Sequence, residues 1–85
     1  MTKKVRFSHP LYKTSYETEL DISLTFKEIE KMLIKEGFLI EKKGGYQFII
    51  DDRLCTLSKS LETYIPDLQA ECVDIRIHAL LVVLT

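Results

Sequence analysis

The chain has no surplus of charge: twelve Lys and Arg stand against thirteen Asp and Glu, a formal net charge of -1. A nucleic-acid binder needs a basic face to meet phosphate, so this balance argues against nucleic acid as a partner. Long apolar runs are missing too. The longest, Ala79 to Leu84, is far shorter than the ~20 residues a spanning helix requires, and no membrane insertion is expected. Met1-Thr2-Lys3-Lys4 is basic, but no apolar stretch follows, so no secretory signal is expected. Cysteine is scarce. Cys55 and Cys72 are too few for a disulfide framework and lack the clustered spacing of a zinc site. Both are read as reduced thiols in buried segments, consistent with the cytoplasm. Glycine is limited to Gly37, Gly44 and Gly45, which form no phosphate-binding loop. No Ser/His/Asp or Cys/His constellation suggests catalysis, so no catalytic residue, cofactor or metal ligand is assigned and the protein is read as a non-enzyme.

What remains is an ordinary globular balance, 46% apolar and 29% charged, over 85 residues. That length suits one domain, 1–85, with a core over about 4–78 and an apolar tail at 79–85. There is no internal repeat, low-complexity stretch or linker. Lys4 to Ser8 alternates polar and apolar residues, the period of a half-buried strand. Pro10 interrupts it. Alternation resumes over Ser15 to Ser23, with Tyr16, Thr18, Leu20 and Ile22 on one side and Glu17, Glu19 and Asp21 on the other. The pair reads as an antiparallel hairpin.

Thr25-Phe26-Lys27-Glu28 fits a capping box, with Leu24 and Ile29 placed for a hydrophobic staple. Phe26, Ile29, Met32 and Leu33 then recur at helical spacing, and Gly37 suits the left-handed residue after a helix end. A helix is predicted from about Phe26 to Glu36. Gly44-Gly45 closes a loop, Tyr46 to Ile50 is a third strand, and Asp51-Asp52 turns the chain into a short return strand, Arg53 to Cys55. Thr56 to Gln69 reads as a loop with one or two helical turns. Val73, Ile75, Ile77 and Ala79 alternate with polar residues in a last strand. If that strand lies parallel to the first, every element has a place. Val5, Phe7, Leu20, Ile22, Phe48, Ile50, Ile75 and Ile77 then meet Phe26, Ile29 and Leu33 across one face. The fold class is α+β, a mixed β-β-α-β-β-β sheet with one helix packed across it.

This order resembles the ubiquitin-like β-grasp family from Lys4 to His78. Glu19 to Ile29 resembles the second strand and helix start of that family, and Lys35-Glu36-Gly37 its helix end. Phe48-Ile49-Ile50, Arg53-Leu54, Thr56-Leu57-Ser58, Tyr64-Ile65 and the last strand resemble its second half. The resemblance implies protein partners, not a reaction. Conjugated modifiers of the family end in Gly-Gly; this sequence runs Leu80-Leu81-Val82-Val83-Leu84-Thr85, a departure at the decisive place, and Gly44-Gly45 lies inside the fold. The first expectation is therefore a bacterial cytoplasmic adaptor or assembly component, such as the small ubiquitin-like component of type VII secretion systems. The alternative is a modifier handled unusually by activating and conjugating enzymes, with Thr85 as the conjugated residue. A further one is a small non-catalytic subunit of an enzyme complex, as in some oxygenases.

Two surfaces are candidates for the partner. Positions matching the family's apolar patch are Leu11, Ile49, Arg76 and His78. In the tail, Leu80, Val82 and Leu84 alternate with Ala79, Leu81 and Val83, apolar on both sides. Such a segment needs cover, either by folding back over its own domain or from a partner or a second copy. His9 and His78 otherwise read as solvated, Glu17, Glu19 and Asp21 as a solvated strand face, and Asp51-Asp52 as lacking calcium-loop spacing.

Overall fold

Alternation decides the first hairpin. Strand β1 (Thr2–Ser8) buries every second residue, Lys3, Val5 and Phe7. Strand β2 (Ser15–Asp21) returns antiparallel, with Val5 opposite Thr18 and Phe7 opposite Tyr16. The computed structural model describes residues 1–65 and 71–79. Strand β2 stops at Asp21, two residues short of the predicted end. The Asp21 carboxylate accepts from the Ser23 amide (2.9 Å) and hydroxyl (2.7 Å), which turns the chain while Ile22 stays in the core.

Helix α1 (Phe26–Lys35) begins at the predicted cap. The Glu28 amide donates to Thr25 Oγ1, and Glu28 Oε1 accepts from the Thr25 amide and hydroxyl. The next two free donors are met from far along the chain: Phe26 N–H reaches the Lys59 carbonyl (3.1 Å) and Lys27 N–H the Leu57 carbonyl (3.0 Å). All the amides that a helix start leaves without internal partners are thus satisfied. At the other end, Gly37 (φ +84°) donates to the Ile34 carbonyl and Phe38 to that of Leu33, the paired bonds of a Schellman motif. Phe26, Ile29 and Leu33 face inward.

The chain returns as β3 (Tyr46–Ile50) and β4 (Arg53–Cys55). Asp51 and Asp52, at φ 52° and 62°, both sit in the left-handed region, the geometry of a two-residue turn whose twist matches the strands. The helical turn expected in the next segment is a short 3₁₀ turn, Leu61–Thr63. Strand β5 (Val73–Ala79) lies parallel to β1, with Val5 opposite Val73 and Phe7 opposite Ile75. Its other edge pairs antiparallel with β3, giving the order β2-β1-β5-β3-β4. The terminal strands are neighbours, as predicted.

Every residue predicted for the inner face is buried, and Leu39, Tyr46, Leu61, Ile65 and Val73 join them. At the centre the Phe48 ring meets Phe7 edge-on (6.3 Å) and Phe26 at a tilt (5.5 Å). Cys55 is buried and Cys72 only half-buried, so the expectation of two core thiols holds for one; both are free. No helix among the described residues is long and apolar enough to cross a membrane.

Thr25→Ala is expected to cost about 1 kcal/mol, read as a midpoint lowered by roughly 4–8 °C in thermal unfolding. Gly37→Ala is expected to cost about 1–2 kcal/mol through its left-handed backbone alone, since nothing lies within 4 Å of the added carbon. Hydrogen bonds from the Thr25 amide and hydroxyl hold the Glu28 carboxyl below its ordinary value. A group depressed on folding stabilises above its unfolded value and stops doing so as pH falls through the folded one. The penalty of Glu28→Ala should therefore narrow in acid, checked by denaturant titrations at neutral and acidic pH.

Burial pushes the Cys55 thiol up to about 11, so it stays protonated near neutrality and is a poor nucleophile. Thiol labelling of the native protein at pH ~8 should modify Cys72 first and reach Cys55 only in denaturant, as peptide mass mapping would show.

Candidate functional site

The helix covers one face of the sheet and leaves the other open. Side chains on that outer face follow from the pairing. Across β1, β2 and β5 they are charged. Glu17 lies 3.6 Å from Lys4 Nζ and 3.7 Å from Arg6 Nε, and Arg6 Nη1 lies 3.6 Å from Asp74. These pairs are long and solvated, and each contributes little to stability. Their effect is to cancel charge, so this half offers no field of one sign.

The other half is different. Ile49 on β3 stands directly between Leu54 of β4 and Arg76 of β5 in the strand register, so the three share a face. Leu54 is 56% exposed, and Ile49 is half-buried. Arg76 is held to one side: its Nη2 donates to Asp52 Oδ1 at 2.9 Å. The cation is thereby tied back to the β3–β4 turn beside the apolar pair. One row along, His78 is exposed opposite Gln47.

Leu11 comes to this face from the β1–β2 loop, 66% exposed. Because β1 and β5 are parallel, that loop lies by the end of β5. Pro10, Leu11, His78 and Ala79 together line a shallow hollow of about 240 Å³. The structure thus brings Ile49 beside Arg76, and Leu11 beside His78. Leu80, Val82, Leu84 and Thr85 lie outside the described residues.

Two features were missed from the sequence. Leu54 is the most exposed aliphatic residue of the β3–β4 hairpin, and its signal was present: the two-residue turn at Asp51-Asp52 sets Leu54 opposite Ile49. His9, expected to be solvated, is half-buried. Its ring lies 4.8 Å from Tyr12 and 5.2 Å edge-on from Phe38, and its Nδ1 accepts from the amides of Leu11 (3.0 Å) and Tyr12 (3.1 Å). Nothing in the periodicity of the loop announces that role.

Among the described residues no group of three or more His, Cys, Asp or Glu side chains gathers to hold a metal ion. Cys55, the buried thiol, faces the core with its proton retained.

No family model and no curated protein matches the sequence. Solved structures do match in shape. A ubiquitin of Caldiarchaeum subterraneum superposes at a TM-score of 0.72 with 12% identity, covering 96% of this chain and 98% of that one. A protein described as a molecular mimic of SUMO that promotes DNA repair gives 0.69 with 8% identity, covering 92% and 91%. A de novo design based on ubiquitin gives 0.67 with 12% identity, covering 89% and 85%. Such identities speak to shape alone. Together with the strand order and the crossing helix, they show that this chain has the ubiquitin-like β-grasp fold.

Proposed function

We propose that this protein is a non-catalytic interaction domain that docks other proteins on the outer face of its sheet. The observation that carries this reading is the adjacency of Ile49 and Leu54, with Arg76 drawn aside by Asp52. Leu54 is 56% exposed and Ile49 already half-buried, so a partner that covers both fully gains roughly 1.5–3 kcal/mol from the pair together. That is the scale of an interface hot spot. A standard interface needs about 800 Å² per partner, so contact would extend from this pair toward His78 and Leu11.

Within that reading the protein acts in the cytoplasm as an adaptor or assembly component, of which a bacterial secretion pathway such as type VII is one setting. The modifier reading is the alternative. Its reacting group would be the carboxylate of Thr85, and its partners would be activating and conjugating enzymes. Intact mass after incubation with such an activating enzyme and ATP separates the two: an adaptor keeps its mass, and a modifier gains an adenylate or thioester adduct.

The docking face is tested with Ile49→Glu and Leu54→Glu, using Lys27→Glu on the exposed side of α1 as control. Both face variants should keep native circular dichroism and lose more than about tenfold in partner capture, as expected for removing a hot spot. The control should bind normally. Equal binding by all three variants would contradict the proposal. Deleting residues 80–85 should preserve the fold and reduce self-association on size-exclusion chromatography, if the tail acts as the sequence predicts.

A further inference from the structure

The loop that presents Leu11 is held by a single imidazole nitrogen. His9 Nδ1 accepts from two consecutive backbone amides, Leu11 at 3.0 Å and Tyr12 at 3.1 Å. Only the neutral ring with its proton on Nε2 can do this, because a protonated Nδ1 is itself a donor. The charged ring would point an N–H at two N–H groups. Histidine is the side chain that changes charge between about pH 5 and 8.

We propose that His9 makes docking through the Leu11 loop sensitive to protons: the neutral ring orders the loop, and protonation releases it. This rests on the docking reading above, since it assigns a regulator to one end of that face. The ring itself stays in place. Tyr12 packs against it from the loop and Phe38 edge-on from the segment after α1, with the Tyr16 ring of β2 behind Phe38 at 5.6 Å. Aromatic faces hold a cation as well as a neutral ring, so protonation ejects the two amides and leaves the imidazole. The charged groups on these elements are Lys13 on the loop, Glu17, Glu19 and Asp21 on β2, Lys35 and Glu36 at the end of α1, and Glu41, Lys42 and Lys43 on the segment that follows it. Among the described residues none forms an ion pair with His9, and Glu17 is engaged by Lys4 and Arg6. A second imidazole, His78, shares the hollow with Leu11.

Leu11 and Tyr12 are 66% and 65% exposed, so few packing contacts would keep the loop in place once its two anchoring bonds are gone. Two ties remain, the His9 amide donating to the Thr14 carbonyl at 3.0 Å, which closes the loop, and the Tyr12 ring on the imidazole at 4.8 Å; neither fixes Leu11. A partner would then have to reorder the loop itself. Its affinity would be multiplied by the fraction of molecules still in the competent form.

The free protein tests the switch. Amide resonances of Leu11 and Tyr12 are followed by NMR between about pH 8 and 5, together with the ring nitrogens of His9 and His78. The expected result is that both amides shift with one midpoint, that of the His9 ring. In His9→Asn, whose carbonyl accepts amide protons without titrating, both should become insensitive to pH. In His78→Gln the response should persist. Amides that hold still while His9 titrates, or that follow His78 instead, would overturn the proposal. With a captured partner, affinity should fall about three- to tenfold on acidification for wild type and stay level for His9→Asn. If the face variants bind normally but the amides track His9, the docking reading fails and the loop switch stands; the converse outcome sinks the switch alone.

Discussion

Everything in this fold depends on how the first turn of α1 is held. A ten-residue helix is too short to be stable in isolation, so it must be fixed from outside. One half of the fixing is local, the reciprocal bonds of Thr25 and Glu28. The other half is distant: Lys59 and Leu57 lend their carbonyls to the helix amides, Leu61 donates back to Leu24, and Thr25 bridges Ser60. The irregular segment after β4 is thereby sewn to the helix start. With that end anchored, Phe26 lands on Phe48, and the inner face of the sheet is closed.

Closing one face determines the other. In a strand of period two, each residue sent inward sends its neighbours outward. Phe48 and Ile50 go to the core, so Ile49 cannot; Cys55 goes in, so Leu54 stands out beside it. The register sends positions 49 and 54 outward but does not require them to be apolar, and a solvated face has no need of Ile and Leu there. The parallel pairing of β1 with β5 has a similar consequence. It places the loop leaving β1 next to the end of β5, which is how Leu11 and His78 come together from opposite ends of the sequence.

Much of this was legible in the residues. The alternation of β1 and β5, the Thr25 box, Gly37 and the Asp51-Asp52 turn each state a local rule, and the structure follows each. The core was legible for the same reason, since apolar residues at the right period have one place to go. The discrepancies have physical causes. Strand β2 ends early because the Asp21 side chain captures Ser23, a local bond that competes with the ladder. Leu39, Leu61 and Ile65 were hidden because they lie in irregular segments, where burial follows from tertiary contacts and leaves no period. Ile49, Leu11 and Arg76 could be named from a family resemblance, but the pairing of Arg76 with Asp52 could not, because it joins residues 24 apart. His9 was illegible: its role comes from where a loop folds back, and one histidine in the mixed stretch His9-Pro10-Leu11-Tyr12-Lys13 gives no hint of that.

The comparisons establish shape, and the chemistry of the outer face must supply the rest. That face is divided between a half whose charges cancel and a half whose two aliphatic side chains are left open, bordered by a tethered arginine and a loop under the control of one imidazole. The most direct measurement is a photo-crosslinking scan in the native cell, with a photoreactive residue placed in turn at Leu54 on the open face, Glu19 on the charged half and Lys31 on α1. Docking on the open face predicts a discrete, saturable protein adduct from position 54 that disappears when Ile49 is changed to Glu. Adducts arising only from positions 19 or 31, or an adduct from 54 indifferent to Ile49, would contradict it.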